Sequence, residues 1–450
     1  MKTAATVVLF SALCIIGALI PPSFGRSKKH NDDERKIWAL LVAGSSSWFN
    51  YRHQADVCHA YQVLHAHGVP DERIVVMMED DIAHNPENPT PGVIINHPIK
   101  RVNVYPGVPH DYTGEEVTAE NFMNILEGNE EAMRGIGSGK VIKSGPNDHV
   151  FVNFVDHGAE GLVAFPRGTL TVSQLNRTLT NLSQRKRYQQ MVLYIEACES
   201  GSMFRDRLPT DIQIYATTAA SYNESSYACY YDKEYKTYLG DVYSVKWMEN
   251  SDATGDLHKE TLLEQFRRVK EETNTSHVKE FGDLSVARDT LADFQGEKAA
   301  RKIHYPTVTP NPVAPCYEAP LDILYRRLAD SMDEDERDQT HQQIRDMFKK
   351  RHYLEQTYRN LVAHLSRGNR RMKRNLFRTA RRHKITQYEC HDKIVQGFNE
   401  LCFDLGRNPY GLKFAHIFIN ICEEGYDPDY VVELMRQKCG TRKDFPGGIH

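Results

Sequence analysis

Two short apolar runs, each followed by a reactive side chain, constrain this 450-residue chain more than any other feature. The first extends from His149 to Val155 and precedes His157, and the second extends from Met191 to Glu196 and precedes Cys198. Runs of this length and composition, closed by small and polar residues, are typical of buried parallel strands. Open α/β sheets bind ligands at the carboxyl ends of their strands. If the two strands are neighbours, His157 and Cys198 face one crevice.

A thiol and an imidazole in one crevice predict nucleophilic catalysis. A free thiol has a pKa of about 8.5, and a nearby imidazolium lowers it. The same imidazole can protonate a leaving amine, and a thioester intermediate divides amide hydrolysis into two easier steps. Gly158 has no side chain, so its N–H and that of Cys198 predict a two-donor oxyanion hole. Buried cysteines are common, and only the matched placement favours catalysis over a structural role.

The same residues resemble a known family. His157-Gly158 and the stretch Glu196-Ala-Cys-Glu-Ser-Gly-Ser are similar to motifs of the legumain family of cysteine endopeptidases, within the caspase-like clan. Further long, ungapped matches occur at Val42-Ala-Gly-Ser, Asn50 to Tyr61, Ser225 to Asp232 and Tyr238-Leu-Gly-Asp241. The resemblance runs from about residue 36 to the C-terminus, and the Gln-Ala-Cys-Arg-Gly signature of caspases is absent.

This resemblance implies an α/β fold, a caspase-like three-layer α/β/α sandwich with a mostly parallel sheet over residues 36–305. A Pro-rich linker and activation region (306–325) and an all-α prodomain (326–450) are expected to follow. The implied activity is cleavage of peptide bonds after Asn, and after Asp at acidic pH, by an endopeptidase made as an autoactivating zymogen. A peptide ligase acting through the same thioester is an alternative. No cofactor and no metal are expected.

A pocket selective for a carboxamide should offer hydrogen-bond donors on one wall and acceptors on the other. The resemblance implies that five residues form this S1 pocket: Arg52, His53, Glu196, Ser226 and Asp241. It also implies that Asn50 orients His157, and it makes Asp156 a candidate for succinimide formation. An ordinary structural ion pair between Arg52 and Asp241 is the alternative explanation for those two residues.

The N-terminus indicates a secretory route. Residues 1–25 have a positive start, an apolar middle and small residues near the end, which is typical of a signal peptide; a membrane anchor is the alternative. Residues 26–35 form a short polar leader, and no later stretch is long and apolar enough to span a membrane. We expect delivery to a lysosome-like or vacuole-like acidic compartment, or secretion. Candidate glycosylation sites are Asn176, Asn181, Asn223 and Asn274.

Four of the nine cysteines cluster in the last 61 residues and predict two disulfides, because a secreted chain folds in an oxidising compartment. Three pairings are possible, and a zinc site is disfavoured because no Cys-X2-Cys spacing occurs. The resemblance implies Cys390–Cys422 and Cys402–Cys439.

The elements predicted along the chain alternate, which favours right-handed βαβ units. They are strands at 36–44, 73–78 and 211–218, besides the two above, and helices at 52–67, 119–127 (capped by Thr118), 169–187, 257–280 and 321–384.

Residues 325–389 carry 17 Lys and Arg against 9 Asp and Glu, a net charge of +8. Because the whole chain has a net charge of −4, the remaining residues together carry −12. This asymmetry predicts a basic helical domain docked over an acidic catalytic domain as an intramolecular inhibitor, with release at low pH. A non-catalytic secreted binding protein that uses the acid-free run from Arg367 to Lys384 is the alternative from another class. Expected partners are protein and peptide substrates and cystatin-type inhibitors; nucleic acid is not expected.

Overall fold

The computed structural model describes residues 35–306, 313–379, 384–440 and 448. The predicted signal peptide, residues 26–34 of the leader and residues 307–312 of the linker lie outside them. The described strands are β1 (Ile37–Ala43), β2 (Ile74–Met77), β3 (His149–Val155), β4 (Gly158–Ala159), β5 (Leu162–Ala164), β6 (Thr169–Thr171), β7 (Gln190–Glu196), β8 (Ile214–Thr218), β9 (Tyr227–Asp232), β10 (Thr237–Asp241), β11 (Lys279–Gly282) and β12 (Val313–Pro315).

The described α-helices are α1 (Tyr51–Ala66), α2 (Ala119–Glu127), α3 (Val172–Gln184), α4 (Val242–Thr254), α5 (Leu262–Glu272), α6 (Ala292–Gln295), α7 (Ala319–Asp330), α8 (Glu334–Ser366), α9 (Arg370–Phe377), α10 (Tyr388–Leu401), α11 (His416–Glu423) and α12 (Pro428–Cys439).

A six-stranded sheet in the order β11-β8-β7-β3-β1-β2 forms the centre of the α/β part (residues 35–306). Five strands are parallel, and β11 is antiparallel to β8 at the edge. Helices α1, α4 and α5 pack on one face and α2 and α3 on the other, each over its own apolar core. Both faces are buried, which is why β1 and β3 read as nearly continuous apolar runs. The predicted three-layer sandwich with a mostly parallel sheet is confirmed.

Local sequence signals set the helix ends on the second face. The Thr118 hydroxyl accepts a hydrogen bond from the Asn121 N–H at 3.1 Å, so Thr118 caps α2 as predicted. Gly128 ends α2 in the left-handed region, at a φ of 71°. Strand β6 takes the first residues of the predicted 169–187 helix, and its last residue, Thr171, caps α3.

The helix predicted over 257–280 is wrong in its second half. Helix α5 covers Leu262–Glu272, and residues 279–282 instead form the edge strand β11. Two small antiparallel sheets, β4-β5-β6 and β10-β9-β12, were also not predicted from the sequence. The pairing of these short strands depends on contacts between separate segments. The sequence pattern within any one segment does not reveal such contacts.

The helical part (residues 319–440) begins earlier than the predicted boundary, because α7 starts at Ala319 inside the expected 306–325 linker. Residues Val313–Glu318, here called the crossing segment, connect it to the α/β part, and β12 within it pairs with β9. Disulfides join Cys390 to Cys422 and Cys402 to Cys439, the two pairs that the resemblance implied. Apolar residues of α8, α10, α11 and α12 form a core that also includes Ala159, Leu162 and Ala164 of β4 and β5.

The helical part docks on the α/β part through a shared apolar cluster and individual hydrogen bonds rather than through the basic run. The Asp404 carboxylate accepts from the Gly168 N–H at 2.8 Å, and the Asn399 amide donates to the Thr169 hydroxyl at 3.0 Å. From the run Arg367 to Lys384, Lys384 pairs with Asp206 at 2.7 Å, while the other described basic side chains are exposed. Among the described residues of this run, contact with an acidic residue of the α/β part is therefore seen at Lys384.

Among the described residues, no helix is both long enough and apolar enough to cross a bilayer. Asn181, Asn223 and Asn274 are exposed, whereas Asn176 is half-buried on α3. Glycosylation at the three exposed sites stays a prediction.

Gly406 allows the closest approach between the two parts, since a Cβ there would overlap the carbonyl oxygen of Phe165. We expect Gly406→Ala to weaken docking of the helical part by about 2 kcal/mol, because neither backbone can move freely. The readout is a lower thermal unfolding temperature and faster limited proteolysis of the helical part at neutral pH. Gly145→Ala is the matched control, because its Cβ would meet Asp148 at an ordinary 3.9 Å; equal effects of both substitutions would contradict this reading of the interface.

Candidate active site

The pairing of β3 with β7 positions the predicted dyad. Val155 is the register partner of Glu196, and the Asp156 N–H continues the ladder by donating to the Glu196 carbonyl at 3.0 Å. His157 and Cys198 therefore each lie two residues beyond the same register pair, at the carboxyl end of adjacent parallel strands. Both side chains are buried. The structure thus brings the two strand ends together as the sequence predicted.

Asn50 contacts the imidazole of His157. Its side-chain oxygen lies 2.9 Å from His157 Nε2, and its amide nitrogen donates to the Ser46 carbonyl at 2.9 Å. This second bond fixes which end of the Asn50 amide faces the ring, so Asn50 accepts and His157 Nε2 carries a proton. Nδ1 is then the ring nitrogen that can exchange a proton in chemistry.

Gly158 lies against the backbone of Cys198. A Cβ at Gly158 would lie 2.5 Å from the Cys198 carbonyl oxygen, so no other residue fits here without a shift. Burial raises the pKa of the Cys198 thiol. In this closed arrangement Cys198 is a neutral thiol, and uncovering it would favour the thiolate because the desolvation penalty would fall.

A buried ion pair lies beside the dyad. Arg52 Nε donates to Asp241 Oδ1 at 2.9 Å, with both side chains fully buried. Burial raises the pKa of Asp241, and the guanidinium of Arg52 partly offsets this. The Ser226 hydroxyl oxygen lies 3.8 Å from Cys198 Sγ, which joins this pocket to the nucleophile.

Two more acids surround that ion pair. Glu196 accepts from the N–H and the hydroxyl of Ser244 at 3.0 and 3.1 Å, and Asp56 accepts from the Asp241 N–H at 3.1 Å. Burial first, and then the charge of Asp241, raises the pKa of both Asp56 and Glu196 well above their ordinary values. With one guanidinium for three carboxyls, Asp241 carries the negative charge and the other two are protonated.

His53 contributes to the pocket as a neutral ring. Burial, followed by the charge of Arg52, lowers its pKa well below the ordinary value. Its Nδ1 lies 2.5 Å from the Ser45 hydroxyl, and its Nε2 lies 3.6 Å from Asp241 Oδ2. The pocket is therefore a zwitterion with no net charge, suited to a neutral polar side chain.

Asp156 lies on the opposite side of His53, with a carboxylate oxygen 3.3 Å from His53 Nδ1. Burial raises its pKa well above the ordinary value, although the adjacent His157 N–H has the opposite effect on that pKa. A neutral carboxyl next to that backbone nitrogen is the arrangement that succinimide closure needs; closure itself stays a prediction.

The crossing segment occupies this cleft. Strand β12 pairs with β9 antiparallel, and the Cys316 N–H continues the ladder by donating to the Ser226 carbonyl at 3.1 Å. The Cys316 sulfur lies 3.2 Å from the Ser226 hydroxyl oxygen and 3.8 Å from Asp241 Oδ1. Cys316 thus extends into the pocket predicted to select the substrate side chain.

Tyr317, the next residue, spans the cleft beyond the nucleophile. Its hydroxyl oxygen lies 2.5 Å from both the Gly158 carbonyl oxygen and a Glu199 carboxyl oxygen. The Tyr317 hydroxyl thus has two acceptors within reach of its one proton, the Gly158 carbonyl and the Glu199 carboxyl. Burial raises the pKa of Glu199 to about 8.

The resemblance implied Arg52, His53, Glu196, Ser226 and Asp241 as one pocket. Arg52 and His53 contact Asp241, and Ser226 contacts Cys316 beside it, while the binding of a substrate side chain by the five residues stays a prediction. Asp56 was missed; it lies four residues after Arg52 on the same face of α1, a spacing that could have identified it. Cys316 and Tyr317 were also missed. Their positions follow from the pairing of β12 with β9, which spans about 85 residues of chain and leaves no local signal.

Comparison with known proteins identifies the relatives of this chain. The model of the peptidase C13 family matches residues 37–297, and that of the legumain prodomain matches residues 342–439. Legumain of Rattus norvegicus is 48% identical over 412 residues, covering 91% of this chain and 93% of its own. The vacuolar-processing enzyme beta-isozyme of Arabidopsis thaliana is 40% identical, covering 92% and 88%, and the hemoglobinase of Schistosoma japonicum is 39% identical, covering 92% and 95%.

The charge assignment in the pocket predicts losses of very different size for two isosteric substitutions. Asp241→Asn leaves the buried guanidinium of Arg52 without its counter-charge, and we expect a loss of about 3 kcal/mol in the free energy of unfolding. Glu196→Gln replaces a protonated carboxyl by an amide that can make the same hydrogen bonds, so the expected loss is under about 1 kcal/mol. Denaturant unfolding at pH 7 measures both. Equal losses would show that Glu196, too, is ionised.

Proposed function

Since the chain belongs to the peptidase C13 family, we propose that it is a cysteine endopeptidase that cleaves peptide bonds after asparagine and is synthesised as a zymogen. The observation that carries this proposal is the register of β3 and β7, which delivers His157 and Cys198 to one cleft beside the Arg52–Asp241 ion pair. A thiol, an imidazole and a zwitterionic pocket are the three requirements for hydrolysis after a carboxamide side chain.

In the proposed reaction, the Cys198 thiol loses its proton to His157 Nδ1 and its sulfur attacks the scissile carbonyl carbon. The Gly158 and Cys198 N–H groups stabilise the oxyanion. His157 then protonates the leaving amine, a thioester remains on Cys198, and water activated by the same imidazole hydrolyses it. Asn50 keeps Nε2 protonated, so that Nδ1 is the exchanging nitrogen throughout.

Selectivity for asparagine follows from the charges of the pocket. The side-chain oxygen of the substrate asparagine accepts from Arg52, and its amide NH₂ donates to Asp241 or Ser226. An ionised aspartate meets the Asp241 carboxylate, whereas a protonated aspartic acid presents one acceptor and one donor like the amide. Cleavage after aspartate is therefore expected only at acidic pH, which suits an acidic lysosome-like or vacuole-like compartment.

A thiol-dependent assay tests this function. Each variant has its crossing segment removed by a serine protease that is then inhibited, and is incubated with a fluorogenic peptide containing asparagine. We expect Cys198→Ala to reduce cleavage by more than about a thousandfold, and alkylation of the wild-type enzyme to have the same effect. Cys58→Ala is the matched control, because Cys58 is an equally buried free thiol that lies on α1 next to Met78.

Cleavage retained by Cys198→Ala would refute the proposed nucleophile. The same variant left at acidic pH without added protease should keep its crossing segment, since autocatalytic processing needs the thiol.

Latency is explained by the position of the crossing segment. It covers the cleft from β9 to Gly158, with its backbone in a strand pairing and Cys316 in the pocket. Glu318 at its end pairs with Arg351 of α8 at 2.7 Å and with Lys413 at 2.9 Å. Arg351 also donates to the Tyr317 carbonyl at 3.1 Å, so the helical part fixes the end of the segment.

Two carboxyls of this closure respond to pH in opposite directions. The pKa of Glu318 is lowered from 4.5, since its hydrogen bonds to Lys413 and Arg351 outweigh the effect of burial. The stabilisation that ionised Glu318 gives the closure is present above pH 4.5 and is lost as the pH falls through the lowered pKa. The pKa of Glu199 is raised to about 8, so its stabilisation is complete below 4.5 and is lost as pH rises through about 8. Of these two carboxyls, Glu318 is therefore the one at which acid weakens the closure.

Glu318→Gln should raise the pH at which the chain processes itself by about one unit, because it removes the ionic contact that otherwise has to be protonated. The measurement is the fraction processed in a fixed time across a pH series. Glu355→Gln is the control, since Glu355 pairs with Arg359 on α8, the helix that also carries Arg351. An unchanged pH midpoint for Glu318→Gln, or an equal shift for Glu355→Gln, would contradict this role.

A further inference from the structure

Two free thiols meet in the closed cleft. The Ser226 hydroxyl oxygen lies 3.8 Å from Cys198 Sγ and 3.2 Å from Cys316 Sγ, so one hydroxyl contacts both thiols. Both are fully buried in the closed structure. One thiol is the proposed nucleophile, and the other belongs to the segment that covers it.

The backbone holds the Cys316 sulfur in this position. Ala314 and Pro315 are register partners of Ala228 and Tyr227, and the Cys316 N–H donates to the Ser226 carbonyl at 3.1 Å. On the other side, the Tyr317 hydroxyl is anchored at Gly158. Since the chain is fixed on both sides of Cys316, its sulfur is held beside the Ser226 hydroxyl that also contacts Cys198.

The remaining free cysteines of the described residues lack this relation. Cys58 lies on α1 beside Met78, and Cys229 is the register partner of Val313. The helical part already contains two disulfides, so the chain matures where thiols are oxidised. Under those conditions, a held pair of thiols is a reactive site that a lone buried cysteine is not.

We propose that Cys198 and Cys316 are a dithiol site that a low-molecular-weight disulfide oxidises to a reversible third disulfide, locking the crossing segment to the nucleophile. Formation of this disulfide does not depend on the proposed function, whereas its effect on activation rests on the proposed function. While the bond exists, acid can release Glu318 without freeing the cleft.

The exchange balances without any further reactant. When the three-residue strand β12 lifts, the Cys316 thiolate attacks the small disulfide RSSR and releases RS⁻, leaving Cys316–S–SR. The Cys198 thiolate then attacks the Cys316 sulfur, forms the internal disulfide and releases the second RS⁻. Two thiols are oxidised, RSSR is reduced to two RSH, and the two cysteine protons go to the two leaving thiolates. A low-molecular-weight thiol reverses both steps.

Local charges favour Cys316 as the first nucleophile. Its hydrogen bond with Cys198 and the nearby guanidinium of Arg52 lower its pKa, while burial raises that of Cys198. The more acidic thiol provides more thiolate near neutral pH, where the full-length chain is closed.

The test uses the full-length zymogen at pH 7 in glutathione buffers of increasing oxidised fraction. After alkylation of the remaining thiols and digestion without reductant, we expect a cross-linked peptide that contains Cys198 and Cys316 and is lighter than the two thiol peptides by two hydrogen atoms. Cys58 and Cys229 should be alkylated in the same sample. Autoprocessing of this oxidised chain at acidic pH should be lost and should return fully on addition of dithiothreitol.

Cys316→Ser is the matched variant, because it keeps a small polar side chain in the pocket. It should form no such peptide and should process at acidic pH at the same rate after either buffer. The proposal is overturned if the wild-type chain shows no Cys198–Cys316 peptide at any ratio, or only mixed disulfides with glutathione. In that case, cleavage of the asparagine peptide by processed Cys316→Ser would leave the proposed endopeptidase function standing.

Discussion

The hydrogen-bonded register between β3 and β7 is the constraint from which the active site follows. Each strand contributes no more than one reactive group, and neither group has a function alone. A slip of one residue would turn His157 or Cys198 to the other face of the sheet, because side chains alternate along a strand. The seven paired positions from His149 to Val155, buried on both faces, make such a slip costly. The stability of the sheet core and the geometry of catalysis are therefore one property of these strands.

A second constraint is the charge beneath the cleft. Helix α1 brings Arg52, His53 and Asp56 to one place, and each is fully buried. A buried ion pair contributes little net stability, since the loss of hydration opposes the attraction. Its retention at the Arg52–Asp241 pair is explained better by recognition, because a hydrophobic pair of equal volume could not discriminate a carboxamide. Protonated Asp56 holds Asp241 in place by accepting from its N–H, and neither Asp56 nor protonated Glu196 adds charge that would repel a substrate.

The sequence was sufficient for the features that depend on local or strongly apolar patterns. The strands around His157 and Cys198, the Thr118 cap and the sandwich followed from such patterns, and family resemblance supplied the pocket residues. The sequence was insufficient where a strand pairs with a segment that is far away in the chain. Strand β11 lies in a segment with a helical charge pattern, and the short strands β4, β5 and β6 have few residues to reveal a period. The position of Cys316 in the cleft depends on the pairing of β12 with β9, which is far away in the chain. The spacing of the cysteines in the sequence therefore did not indicate it.

Strand β9 also explains how one cleft serves both inhibition and substrate binding. In the small sheet it lies between β10 and β12, so removing the crossing segment exposes an unpaired edge beside the nucleophile. An extended peptide can pair with such an edge through its backbone, whatever its sequence, and a pocket then selects one side chain. The crossing segment needs no exceptional affinity for this edge, because attachment gives it a millimolar effective concentration. Cutting the chain makes its return bimolecular, so proteolysis alone converts an effective inhibitor into a weak competitor. The same reasoning explains why a covalent link at Cys316 would be effective: it would keep the crossing segment attached within the cleft itself.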